Sequence, residues 1–127
     1  MSRHVYQGKD VSVSGPYSHA VDAGSHIFFS GQVAKNSTTY VEETGSIEEQ
    51  TKQCFANLEQ VLTAAGVSFD DVVKVNVYLT TMKNFEGMNQ VYQTKFTEPF
   101  PARTCVAVYE LPLGADIEIE LVVYKKN

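Results

Sequence analysis

Residues 46–79, SIEEQTKQCFANLEQVLTAAGVSFDDVVKVNVYL, place a helix directly ahead of a strand. Ser46 followed by Glu49 has the spacing of a capping box, in which each side chain satisfies the other residue's orphan backbone N–H. From there Ile47, Cys54, Phe55, Leu58, Val61, Leu62 and Ala65 recur at helical spacing, and Gly66 supplies the stop. Beyond Gly66 the period changes. Val73, Val75, Val77 and Leu79 alternate with Lys74, Asn76 and Tyr78, the pattern of a half-buried strand.

Working outward, His19 to Val33 reads as a hairpin: Ala20-Val21-Asp22, a turn at Ala23-Gly24-Ser25, then His26-Ile27-Phe28-Phe29-Ser30. Gly31 directly after that strand marks a place where something approaches the backbone closely. Asn36 to Thr44 is polar and β-branched, a loop or a weak edge strand. Asn84 is positioned to cap a second helix running to about Phe96, with Phe85, Met88, Tyr92 and Phe96 on its apolar face. Gly87 weakens that helix by about 1 kcal/mol relative to Ala, and Pro99 and Pro101 end it. Ala102–Tyr109 and Asp116–Tyr124 are further strands, joined through Leu111-Pro112-Leu113-Gly114. The order predicts an α+β domain over residues 1–127, two helices covering one face of a sheet. Ala107 with Tyr109 and Val122 with Tyr124 put apolar groups on the other face, which predicts a homo-oligomer.

The chain has 127 residues and a net charge of −5. Its densest basic cluster is Lys125-Lys126, which argues against a nucleic-acid partner. The N-terminal residues carry no apolar signal-like run, and no apolar stretch approaches the roughly 18 residues of a membrane span. Two cysteines, Cys54 and Cys105, lack metal-ligand spacing and are too few for a disulfide framework. A reducing cytoplasmic compartment is the expectation.

Arg103 sits in the apolar run Pro101-Ala102-Arg103-Thr104-Cys105-Val106. A guanidinium there implies either a pocket for a small carboxylate, gripped by its planar fork, or a structural ion pair. Cys105, on the same face, is a candidate thiolate only if something activates it; no His lies nearby in sequence. Cys54 belongs to the apolar face of the first helix. Glu118 and Glu120 share one face of the last strand, opposite Ile117, Ile119 and Leu121, and form either a solvated face or a general base. Ser30 with His19 or His26 is a formal triad, but Phe28-Phe29-Ser30-Gly31-Gln32 is no nucleophile elbow. Tyr17, after Gly15-Pro16, is a packed aromatic or a hydroxyl aimed at a ligand. In a simple hairpin Glu118 faces Ala107 or Val108, which leaves about 13 Å of strand between it and Arg103. A shared site then needs a bulge, a bend or a neighbouring subunit.

Together these segments resemble the RidA (YjgF) family of imine deaminases. The resemblance rests on Gly15-Pro16-Tyr17, Ser30-Gly31-Gln32, Asn89, Phe100 to Val106 and Ile117-Glu118-Ile119-Glu120, in family order. It implies a chorismate-mutase-like domain with a mixed sheet, assembled as a homotrimer with sites between subunits. It also implies hydrolysis of 2-imino and 2-enamino acids (2-aminoacrylate, 2-aminocrotonate) to 2-keto acids and ammonia, with no cofactor and no metal. By position, Arg103 holds the substrate carboxylate and Glu118 lies beside the attacking water. Tyr17, Ser30, Gly31, Asn89 and the Cys105 backbone line the pocket. Thr104, Tyr109 and Ala34 depart from common family residues. Competing expectations are a carboxylate-binding regulatory module without turnover, and an endoribonuclease or translation inhibitor.

Overall fold

A computed structural model describes residues 2–13, 15–34 and 45–126. Its elements are β1 (His4–Tyr6), β2 (Ala20–Asp22), β3 (His26–Val33), α1 (Ile47–Ala64), β4 (Val72–Leu79), α2 (Phe85–Tyr92), β5 (Ala102–Ala107) and β6 (Ile117–Tyr124). The capping box opens α1: Ser46 Oγ accepts from the Glu49 N–H at 3.2 Å, and the Glu49 carboxylate accepts from the Ser46 N–H at 3.2 Å. Past the helix end Gly66 adopts φ +74°, a conformation that only glycine takes freely.

The six strands form one sheet in the order β1-β2-β3-β6-β4-β5. Every pairing is antiparallel except β4–β5, which is parallel, so α2 is the crossover of a βαβ unit. Both helices cover one face. Cys54, Phe55, Leu58, Val61 and Leu62 of α1 and Met88, Val91 and Tyr92 of α2 share a core with Ile27, Val75, Val77, Ile117, Ile119 and Leu121. Phe55, Phe69, Tyr92 and Phe96 add edge-on ring contacts, each worth about 0.5–1.5 kcal/mol beyond its buried area.

Among the described residues no helix lies on the other face. Register lines up Val5, Val21, Phe28 and Val122 in one row across four strands. Phe28 is 52% exposed, and Tyr124, Val5 and Val106 are exposed as well.

Several expectations change. β5 and β6 do not form a hairpin, because β4 lies between them: Arg103 pairs with Val75 and Val106 with Tyr78, while Glu118 pairs with the far side of Tyr78. A register shift between Val72 and Lys74 turns Val73 outward, so Val72 joins the buried set instead. Asn84 makes no capping bond; Thr81 Oγ1 accepts from the Lys83 N–H at 3.2 Å and starts a short 3-10 turn leading into α2. α2 ends at Tyr92, although Phe96 beyond it stays buried. Gly31 lies inside β3 and not after it. β5 stops at Ala107, whose register with buried Leu79 puts it on the helix face, so it shares no open-face patch with the almost fully exposed Tyr109. The short β1 has no counterpart in the sequence reading. Asn36 to Thr44 lies outside the described residues.

Candidate active site

Arg103 takes its direction from the strand register. Its partner Val75 is fully buried, so Arg103 emerges on the helix face and runs up against α2. There its Nη1 donates to Asn89 Oδ1 at 2.6 Å. The guanidinium carbon lies 4.6 Å from the centre of the Tyr92 ring and 5.5 Å from that of Phe85. Asn89 and Tyr92 are three apart on α2, which sets both over the same spot. Among the described residues no carboxylate pairs with Arg103. Among those residues Arg103 makes no structural ion pair, and Asn89 and Tyr92 orient the fork. Asn89, Tyr92, Gln93, Phe100, Pro101 and Arg103 line a cleft of about 510 Å³.

Cys105 shares the helix face with Arg103 through its pairing with Val77, but it does not line this cleft. Burial pushes its thiol up, against the weaker pull of the Arg103 charge. That disfavours a thiolate nucleophile. Cys54 is wholly buried and shifted up by the same cause.

Glu118 belongs to a second cleft, of about 340 Å³, on the open face. Its shape begins in β3. Phe29 pairs with Leu121 while Gln32 pairs with Ile119, so three steps on β3 oppose two on β6. The bulge brings Ser30 and Gly31 out beside Glu118. A Cβ added to Gly31 would overlap the Glu118 carboxyl, so glycine is what lets the carboxyl lie against the backbone. Burial pushes the Glu118 carboxyl up, and the neighbouring Glu120 charge adds to the shift. Glu120 accepts from Asn76 Nδ2 at 3.1 Å and from the Tyr78 hydroxyl at 2.5 Å. That bond, with burial second, raises the Tyr78 phenol to about 12. Tyr17, Val33, Pro112 and Leu113 form the walls of this cleft.

The structure gives no triad. Ser30 Oγ donates to the Ser18 carbonyl at 2.6 Å. His19 is fully buried; its Nδ1 accepts from the Gly8 N–H at 2.9 Å, which leaves Nε2 to donate to the Ser12 carbonyl at 3.1 Å. His26 is engaged by Ser25 Oγ at 2.8 Å.

The candidate residues thus fall into two groups. Tyr17, Ser30, Gly31 and Glu118 meet in the open-face cleft, whereas Asn89 and Arg103 meet in the helix-side cleft. Cys105 joins neither. Two strand spacings and three residues separate the backbones of Arg103 and Glu118, about 14 Å, and their side chains leave the sheet in opposite directions. The sequence reading missed the second role of Tyr92, which its spacing from Asn89 could have flagged. It also missed the Pro112-Leu113 wall, whose signal was the Pro-Leu-Gly turn.

A six-stranded mixed sheet with both helices on one face, a cationic cleft beneath them and an acidic cleft behind, defines a chorismate-mutase-like α+β protein. The chain belongs to the RidA (YjgF) family; the family described as Endoribonuclease L-PSP matches residues 8–125. The 2-iminobutanoate/2-iminopropanoate deaminase of Dermatophagoides farinae is 42% identical over 109 residues, covering 86% of this chain and 85% of that relative. The crystal structure of RidA from the Antarctic bacterium Psychrobacter sp. superposes with a TM-score of 0.86 at 36% identity, covering 97% of this chain and 100% of that one. TdcF of E. coli, crystallised with bound serine, gives 0.89 at 30% identity, covering 97% and 99%.

Proposed function

We propose that this protein hydrolyses 2-imino acids and their 2-enamino tautomers to 2-keto acids and ammonia. The observation that carries the reading is Arg103: a guanidinium fixed by Asn89 and Tyr92, with no carboxylate among the described residues paired to it. Such a group selects a small carboxylate by two parallel hydrogen bonds. The imine carbon of the bound acid then needs only water. Glu118, whose carboxyl is biased toward protonation, suits a proton carrier: it takes a proton as water adds to the C=N carbon and returns it to the departing nitrogen. The products are keto acid and ammonia, so atoms and charge balance without a cofactor. An imine is already electrophilic, and orientation with a modest electrostatic bias supplies the acceleration.

In this reading the protein works as a homotrimer. Arg103 and Glu118 leave opposite faces of one sheet, so no bulge or bend within a chain unites them, and a second copy must bring its Glu118 cleft to the Arg103 of the first. The exposed Val5, Phe28 and Tyr124 on the open face are the surface that such assembly would cover. Among the described residues no helix is long and apolar enough to cross a membrane. We place the protein in the reducing cytosol, which suits its two free thiols.

The test is a coupled assay in which a threonine or serine dehydratase generates the imine and its decay is followed with and without the protein. Faster decay, with keto acid and ammonia formed in equal amounts, supports the reading; decay at the solvent rate removes it.

A further inference from the structure

The turn between β5 and β6 holds a backbone anomaly. Leu113 has φ 61° and ψ 23°, and among the described residues it is the one non-glycine residue at positive φ. Leucine is poorly suited to this region, because its Cβ crowds the carbonyl and it has no short polar group to compensate. Glycine would sit there freely, as Gly114 does next door at φ 71°. Strain of this kind persists where something else requires it. Burial does not: Leu113 is 46% exposed and takes no part in the core. Instead Leu113 lines the Glu118 cleft together with Pro112.

We infer that Leu113 is a specificity-determining residue that selects 2-imino acids with an aliphatic side chain longer than methyl. The inference rests on the imine-hydrolysis reading for the substrate's orientation. With the carboxylate on Arg103 and the reacting carbon beside Glu118, the remaining substituent must lie along a wall of this cleft. Leu113, Pro112 and Val33 make that wall apolar, while Ser30, Glu118 and Glu120 make the floor polar. A branched alkyl group leaves water by packing on Leu113, and a methyl group has far less surface with which to do so.

The test compares affinities for two product-like acids, pyruvate and 4-methyl-2-oxopentanoate, by calorimetry on the assembled protein. Wild type is expected to favour the larger acid. Leu113→Ala should lower that preference roughly fivefold or more, since each methylene in an apolar pocket carries about tenfold or more of discrimination. Leu113→Met, which keeps the volume, should retain it. Leu113→Gly should lose the preference while melting higher than Leu113→Ala, because only glycine also relieves the backbone. An unchanged preference in Leu113→Ala overturns the inference, as does an equal loss in Leu113→Met, which would assign the effect to the shape of the turn. A wild type that binds neither acid overturns this inference and the imine reading together. Leu113-dependent selection of keto acids without accelerated imine decay would sink the deaminase reading alone.

Discussion

Arg103 and Glu118 project from opposite faces of one sheet. The first lies alongside buried Val75 on the helix side and the second alongside Tyr78 on the open side. In the proposed trimer, a site that uses both takes one from each of two neighbouring copies. This makes an assembly prediction. Arg103→Ala and Glu118→Gln chains, each inactive alone, are unfolded together, mixed in equal amounts and reassembled. Every mixed trimer then holds one intact site of three, so about a quarter of wild-type activity returns. No recovery would place both residues in one chain's site or show that copies do not pair this way.

Arg103→Ala should leave fold and assembly intact while weakening keto-acid binding by about 1.5–3 kcal/mol, roughly tenfold to more than a hundredfold. Arg103→Lys should recover only part, because the ammonium cannot make the paired bonds or keep the stacking on Tyr92. Calorimetric titration with 2-oxobutanoate measures both.

Glu118→Gln should reduce kcat by about a hundredfold or more and leave keto-acid affinity nearly unchanged, since a proton carrier matters in the transition state. In wild type the required carboxylate is lost as pH falls through its raised value. The acid limb of kcat/KM should therefore lie above the ordinary glutamate value of about 4.3. Glu120→Gln removes the smaller of the two causes and should move that limb toward lower pH.

Gly31→Ala tests whether the carboxyl must lie against the backbone. The added methyl meets a movable side chain, so the fold should survive with melting nearly unchanged. Activity should drop as in Glu118→Gln, and adding Glu118→Gln to Gly31→Ala should cost little more. Full activity in Gly31→Ala would show that the close approach is incidental.

Asp22 is expected to contribute to acid stability. Its carboxylate accepts from Lys125 Nζ at 2.9 Å, from the Gly24 N–H at 2.8 Å and from the Tyr6 hydroxyl at 3.1 Å. The Lys125 bond first and the Gly24 bond second hold its pKa down at about 2. A depressed carboxylate stabilises the fold above its unfolded value of about 3.9 and ceases to do so as pH falls through the folded value. Melting temperature should therefore fall between about pH 4 and pH 2. Asp22→Asn should flatten that part of the curve.

Much of this architecture is legible in local chemistry. The Ser46–Glu49 box, the Gly66 stop and the parity that separates Glu118 and Glu120 from Ile117 and Ile119 depend on residues a few positions apart, and each appears as read. Strand order is not local. Read in isolation, β5 and β6 suggest a hairpin, yet the α2 crossover commits β5 to a parallel place beside β4. That difference inserts β4 between Arg103 and Glu118, and the registers on its two sides set them on opposite faces. The two bulges, at Val73 and at Ser30-Gly31, escape for a related reason: an extra residue shows only against its partner strand. The candidate residues are therefore named by sequence alone, but their division between two clefts, with Cys105 in neither, is not.

The two cysteines differ in a way that makes the chain its own timekeeper. Cys54 is sealed in the core, whereas Cys105 is partly buried on the edge strand, two residues from Arg103. A thiol reagent meets Cys105 whenever the edge strand is accessible, but it reaches Cys54 only when the layer between helix and sheet comes apart. Labelling at Cys105 thus clocks events at the cleft, and labelling at Cys54 clocks the opening of the domain. The two rates are recorded in one sample with no foreign probe.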